Sequence, residues 1–312
     1  MLGIDYLNRL AQLQSQSYPS SSWLDKKTSF DLMYEAAKDF AQKTKSLYTT
    51  QSITTVASQA NYALAPDFLE VYSEDDDGNK ILKYTDSSSN VYWLTQQGYR
   101  PQYYANNTTA IAIPSNFAII SKPKISGIAS TVTATTTQSG GESTLTDATA
   151  SFTSETIWPG DIVHNKTLGH IGVVLSILTT TTLNTAMFDV TTAPSSSYTG
   201  WSNTNAYLIQ PGARYQVYID PPPLTASETI TVPYIQIPEP VYSDYGSYAF
   251  PVTDMEAILK YAVWLYKYRD SEPKFGDALY VQYDRAVREA AASYLRATVG
   301  KQPLQMKVSW KG

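Results

Sequence analysis

The feature that most constrains this chain is an abrupt change of character at Lys124. From there to Gln210 only seven residues are charged (Lys124, Glu142, Asp147, Glu155, Asp161, Lys166 and Asp189), and Thr and Ser recur in blocks. Thr is β-branched and favours strands over helices. Residues 125–133, 161–164, 171–178 and 206–209 read as short strands, separated by turns such as Pro159-Gly160-Asp161 and Ser139-Gly140-Gly141. No helical period runs through the stretch. Residues 124–212 are therefore expected to form a small, separately folding all-β barrel or sandwich, inserted into something else.

The flanks supply that something else. At 312 residues the chain exceeds the size at which one core stops growing. Leu2, Tyr6, Leu10 and Leu13 recur three or four apart, which predicts a short opening helix, and the Ser/Pro-rich run 17–22 breaks it. A second helix is expected from Thr28, capped with Asp31, with Phe30, Met33, Ala37, Phe40, Ala41 and Leu47 as its apolar face. Phe68–Tyr72 and Ile81–Tyr84 read as strands of a hairpin around Asp77-Gly78. The acidic run Asp75-Asp76-Asp77 lacks the spacing of a calcium loop and reads as a solvated turn. Beyond the insertion, Arg214–Asp220 alternates with period two and Thr229–Ile235 continues the same β region. Two helices close the chain: one opened by a capping box, Thr253 to Glu256, and one opened at Ser271-Glu272-Pro273 with a seam of Phe275, Leu279, Tyr283, Val287, Ala290 and Tyr294. The fold class that follows is α+β. Terminal helices form a bundle packed with a small antiparallel β-domain (residues 1–123 and 213–300), which the all-β unit (124–212) interrupts.

Residues 301–312 form an extended tail. Leu304, Met306, Val308 and Trp310 alternate strictly, and from Arg296 onward the charges are Arg296, Lys301, Lys307 and Lys311 with no acid. A segment with one apolar edge and no evident place in its own core suits addition as a strand to a neighbour's sheet; a tail folded back on its own domain or left disordered is the alternative.

Chemistry is sparse. The absence of Cys excludes disulfides, Cys-ligated zinc, iron–sulfur clusters and thiol nucleophiles. Two histidines, His164 and His170, have no ligand-like spacing to nearby acids. Neither a glycine-rich phosphate loop nor a Gly-x-Ser-x-Gly elbow is present. The chain is expected to be no enzyme and to need no cofactor. A net charge of -5 argues against general nucleic-acid binding. No apolar run reaches membrane-spanning length, and the opening residues lack a basic-then-apolar leader, so use without export is expected. The Asn-x-Thr sequences at Asn106 and Asn165 read as turns. Tyr is abundant, with 25 copies; Tyr242, Tyr245 and Tyr248 before the third helix suit either packing or an interface. Trp158, Trp201 and Tyr198 in the insertion suit either core packing or stacking on sugar rings.

Several motifs outside the insertion occur together in a familiar order. Tyr62-Ala63-Leu64-Ala65-Pro66-Asp67-Phe68-Leu69-Glu70-Val71 is followed by Gly78, then by Gly98-Tyr99-Arg100-Pro101-Gln102-Tyr103-Tyr104. Val217-Tyr218-Ile219-Asp220-Pro221-Pro222-Pro223, the segment from Thr229 to Pro238, and a proline-led helix pair from Pro251 to Ala297 complete the series. Together they resemble head-to-tail adaptor (connector) proteins of tailed bacteriophages. The resemblance implies a dodecameric ring beneath the portal protein, bridging it to nozzle or tube proteins of the tail, with genomic DNA passing through the lumen without sequence-specific binding. It places the chain in the virion at the head–tail junction, assembled in the host cytoplasm and bound to no membrane. It further assigns Leu304, Met306, Val308, Trp310, Lys307 and Lys311 to the portal contact. The insertion resembles small β modules of phage structural proteins, and a tail or baseplate component whose inserted unit binds a receptor or carbohydrate is the alternative.

Overall fold

The computed structural model describes residues 2–13, 25–74, 78–98, 112–121, 127–137, 139–153, 157–191, 197–212, 214–269 and 273–299. Within them lie four α-helices: α1 (Gly3–Leu13), α2 (Lys26–Thr44), α3 (Val252–Arg269) and α4 (Pro273–Val299). Strands β1 (Tyr48–Thr54), β2 (Asn61–Ala63), β3 (Phe68–Val71), β4 (Ile81–Thr85), β5 (Val91–Gln96) and β6 (Asn116–Ser121) come first. The charge-poor stretch holds β7 (Ile128–Thr131), β8 (Ala134–Thr137), β9 (Glu142–Thr146), β10 (Ile162–Asn165), β11 (His170–Thr179), β12 (Thr182–Phe188), β13 (Tyr198–Thr199) and β14 (Ala206–Gln210). β15 (Tyr215–Asp220) and β16 (Thr229–Gln236) follow it.

Helix α2 starts earlier than its sequence suggests. Asp25 is the N-cap, its Oδ1 accepting the Thr28 N–H at 2.6 Å, and Lys45 in the left-handed region ends the helix. Asp31 is thereby released from the expected capping role and accepts instead from Lys27 and from the Tyr242 hydroxyl. The apolar face Phe30, Met33, Ala37, Phe40 and Ala41 is buried as its spacing predicts. The capping box expected at Thr253 does not form. α3 begins at Val252, Asp254 and Met255 donate to the Pro251 carbonyl, and Glu256 pairs with Arg9 of α1 at 3.2 Å.

β1–β6 join β15 and β16 in one eight-stranded sheet, ordered β1-β16-β4-β5-β6-β15-β2, with β3 also on β16. All pairs are antiparallel except β5–β6, which is parallel. The expected β3–β4 hairpin is not a ladder. The two strands lie one after the other along β16, and among the described residues Glu74 and Lys80 link them through a backbone bridge and an ion pair at 2.6 Å. The sheet curls until its end strands meet, and Gln51 spans the seam: its Oε1 accepts the Ala65 N–H at 2.8 Å and its Nε2 donates to the Ala63 carbonyl at 3.3 Å. Inside lie Phe68, Leu82, Tyr84, Leu94, Val217, Ile230 and their neighbours.

β7–β14 form a second eight-stranded sheet, ordered β7-β14-β10-β11-β12-β9-β8, with β13 on β12. Its two ends are consecutive in the chain. Residues 128–131 pair with β14, the Val132 N–H reaches Asn205, the Thr133 N–H reaches Thr146, and residues 134–137 pair with β9. One continuous segment thus changes partners midway and joins the two ends of the sheet into a barrel. Leu145, Phe152, Val163, Val174, Leu183, Met187, Trp201, Tyr207 and Ile209 fill it.

The helices make a third core, with Tyr6, Leu10, Phe30, Phe40, Ile258, Leu259, Tyr283 and Val287 at its centre. The buried strand residues that enter it are Val173, Ala186 and Phe188 of β11 and β12, which turn away from the barrel interior, with Leu175 and Tyr198 packed beside them.

Candidate functional site

The polar side chains tie segments together. Asp147, 1% exposed, accepts from the Tyr207 hydroxyl (2.8 Å) and from Thr149 through both backbone N–H (2.8 Å) and hydroxyl (2.7 Å). Burial pushes its carboxyl up, but hydrogen bonds from Ser130, Thr149 and Tyr207 outweigh that and hold it at about 2. Asp161 takes a two-oxygen grip on Arg214 Nη2 (2.9 and 2.8 Å) and also accepts the backbone N–H groups of Trp158 and Gly212 at 2.8 Å. That buried pair pins the point where the chain leaves the inserted barrel. Burial pushes the hydroxyls of Tyr242 and Tyr283 well above the ordinary phenol range, reinforced by Asp31 and Asp39, which accept from them. No group of three or more His, Asp or Glu able to hold a metal occurs among the described residues. His164 and His170 sit on neighbouring strands, one register position apart, and Nε2 of His170 faces Asp189 at 3.7 Å. Asn165, which reads as a turn residue in the sequence, is instead the buried last residue of β10, its side-chain oxygen accepting the backbone N–H groups of Thr167 and Leu168 in the turn that follows.

A junction joins helices to the inserted barrel. The Tyr198 hydroxyl donates to Asp244 Oδ1 at 3.0 Å; Lys26 pairs with the same oxygen at 3.0 Å and lies 4.1 Å from the Tyr198 ring centre. Glycines at 140 and 141 are required here. Both have positive φ, and a Cβ on either would meet the ring of Tyr245 or Tyr198 within 2.4 Å. The N-terminus of α1 closes the junction, Gly3 and Ile4 donating to the carbonyls of Gly246 and Asp244.

Three surface features remain. On α3 and α4, Tyr261, Trp264, Tyr280 and Tyr283 form a run of ring contacts 4.5–6.3 Å apart, leading from Tyr280 at the surface to Tyr283 in the helical core, with Lys43 over Tyr261 and Tyr283. On β5, Val91 and Trp93 are 45% and 58% exposed. Between the two sheets lies a cleft of about 320 Å³, lined by Gln51, Pro66, Trp158, Ile177, Arg214 and Tyr215 among others. Large aromatic and aliphatic groups held on rigid elements suit protein contacts.

Of the tyrosines before α3, Tyr242 and Tyr248 are core, while Tyr245 is exposed. Trp158, Trp201 and Tyr198 are not brought together as a sugar platform. Trp201 is buried with its Nε1 donating to Thr185, Tyr198 is locked in the junction, and only Trp158 faces the cleft. Leu304, Met306, Lys307, Val308, Trp310 and Lys311 lie outside the described residues, as do Asp75–Asp77, the Tyr103-Tyr104 motif and Asn106. Residue-level reading missed Trp93 and the Tyr261–Tyr280 run. Exposed aromatics at alternate strand or helical positions are indistinguishable from core until the facing layer is known.

The chain is an α+β protein with two curled sheets, its polar side chains tying segments together and apolar groups left on its surface. The SU10 adaptor protein profile matches residues 5–167, and the chain belongs to that family, one of bacteriophage structural adaptors. The match runs past residue 124 and ends inside the inserted barrel, two residues beyond β10. Such a family places the chain among virion components that associate with portal or tail proteins. No helix among the described residues is long and apolar enough to cross a membrane. No curated protein matches the chain.

Proposed function

We propose that this chain is a ring-forming adaptor that joins the portal to the tail and forms part of the conduit for DNA. The observation that carries this reading is the family match over residues 5–167. The surface agrees with it. A closed ring needs heterologous contacts, one patch against a different patch on the next copy, and the exposed Tyr280 and Val281 on α4 and the β5 face are two unlike apolar patches on one subunit. Net acidity suits a conduit, because repulsion keeps a duplex from adhering to the wall. Co-expression with the cognate portal, followed by native mass measurement and imaging, tests it. The expected result is a cyclic oligomer of this chain seated on the portal. A monomer that neither self-associates nor binds portal refutes it.

A further inference from the structure

β5 pairs with β4 along its whole length, Val91 opposite Thr85 and Thr95 opposite Ile81. On its other side, β6 joins it only at Thr95 and Gln96. Backbone groups alternate sides along a strand, so the remaining directions follow. The Gln96 N–H donates toward β4, to Lys80 at 2.8 Å. Those of Thr95 and Gln97 donate the other way, to Ser115 at 3.1 Å and Phe117 at 2.8 Å. Val91 and Trp93 therefore turn their N–H and C=O groups toward the side that β6 leaves open, and no strand pairs them there among the described residues. The same two residues carry exposed apolar side chains on the outer face. Soluble proteins blunt such edges with charge, proline or a cover; this one carries Val and Trp.

We infer that the open edge of β5 receives residues 304–310 from the tail of a second copy of this chain. Strand addition would set Leu304, Met306, Val308 and Trp310 on one face beside Val91 and Trp93, with Gln305, Lys307 and Ser309 on the other. The chain continues from the end of α4 at Val299 to Gly312. From Val299 to Leu304 the chain spans at most about 18 Å, and α4 packs along α3 and α2 rather than along the outer sheet, which favours an edge on another copy over the chain's own. The inference rests on the ring reading, and it moves the tail from the portal, where the family resemblance puts it, to a neighbouring subunit.

Because the chain has no cysteine, introduced thiols report contact without background. Full-length Val91→Cys and Val308→Cys proteins, mixed and oxidised, should give a disulfide-linked pair in about tenfold higher yield than a Tyr245→Cys and Val308→Cys mixture, since docking raises effective concentration. A yield equal to that control overturns the inference. So does a chain carrying both Val91→Cys and Val308→Cys that closes only upon itself in dilute solution. Trp93→Glu, at an exposed position, should weaken self-association, and deleting residues 301–312 should abolish it. Intact rings that have lost only portal docking would return the tail to the portal and overturn the proposal. Should the native chain never form rings, the ring reading fails, while the mixed-thiol yield still decides this contact.

Discussion

The two β units each have eight strands, yet they end differently. The inserted sheet closes through one uninterrupted segment, residues 128–137, that hands its hydrogen bonds from β14 to β9. The end strands of the outer sheet are joined by side chains, Gln51 of β1 and Tyr62 of β2, and part of β5 is left unpaired among the described residues. The first is a finished object, its interior held by Asp147, Tyr207 and Trp201; the second keeps backbone groups and a Trp ready for something else. The inserted sheet joins its ends through main-chain bonds of one segment, whereas the outer sheet joins its ends through side chains. In an adaptor that division separates scaffold from assembly surface.

The inserted unit is nonetheless not sealed on every side, and the strongest test of the comparison lies there. Phe188 leaves the barrel interior to enter the helical core, where it meets Tyr198 at 5.2 Å and Tyr242 at 6.3 Å between ring centres. Phe188→Ala should cost about 3–5 kcal/mol, as for other buried aromatics, measured by denaturant midpoint, and should lower the stability of helices and barrel together. Two separate transitions, with only one shifted, would show the units to be independent. By the same logic, excised residues 124–212 should be less stable than the barrel in the full chain, since Val173, Ala186 and Phe188 lose their cover. Arg214→Ala leaves Asp161 buried and unpaired, and an effect of about 3 kcal/mol is expected in the same assay.

Acid sharpens the contrast further. The Asp147 carboxyl sits at about 2 when folded against an ordinary 3.8, so its stabilisation is complete above pH 3.8 and disappears as pH falls toward 2. The loss is about 2 kcal/mol. Denaturant midpoints taken between pH 5 and 2 should fall more steeply for the native chain than for Asp147→Asn, which has no proton to gain. Parallel curves would remove Asp147 as the acid-labile point of the inserted barrel.

The helices were legible from spacing, because burial on one helical face imposes a local period that any reader can find. The change of composition at Lys124 likewise marks where one sheet gives way to another. Closure was not legible. Residues 134–137 pair with β9 only six to twelve residues on, but residues 128–131 pair with β14 seventy-five to eighty-one residues away, and nothing local records that second partner. Caps were misjudged for a related reason: Asp31 and Glu256 stand at sequence positions suited to capping, but Tyr242 and Arg9 recruit them from across the fold. Edge aromatics such as Trp93 look like core in a sequence, because alternation says which residues share a face and not what covers it.

The smallest predicted effect bears directly on the seam. Gln51 sits on β1 with its side chain bonded to backbone at Ala63 and Ala65, one bond at 2.8 Å and one at 3.3 Å. Gln51→Ala removes both, yet the seam is near solvent, so water can replace part of what is lost; about 1 kcal/mol is expected. Gln51→Glu retains an acceptor for the Ala65 N–H but loses the donor to Ala63, and should fall between native and Ala. Amide exchange at Ala65 gives the more specific reading, because opening of the seam should hasten it in Gln51→Ala while exchange in β10 and β11 stays unchanged. If the inserted barrel responded as strongly as the outer sheet, closure by side chains would be no weaker than closure by backbone, and the division between scaffold and assembly surface would have no basis in the seam.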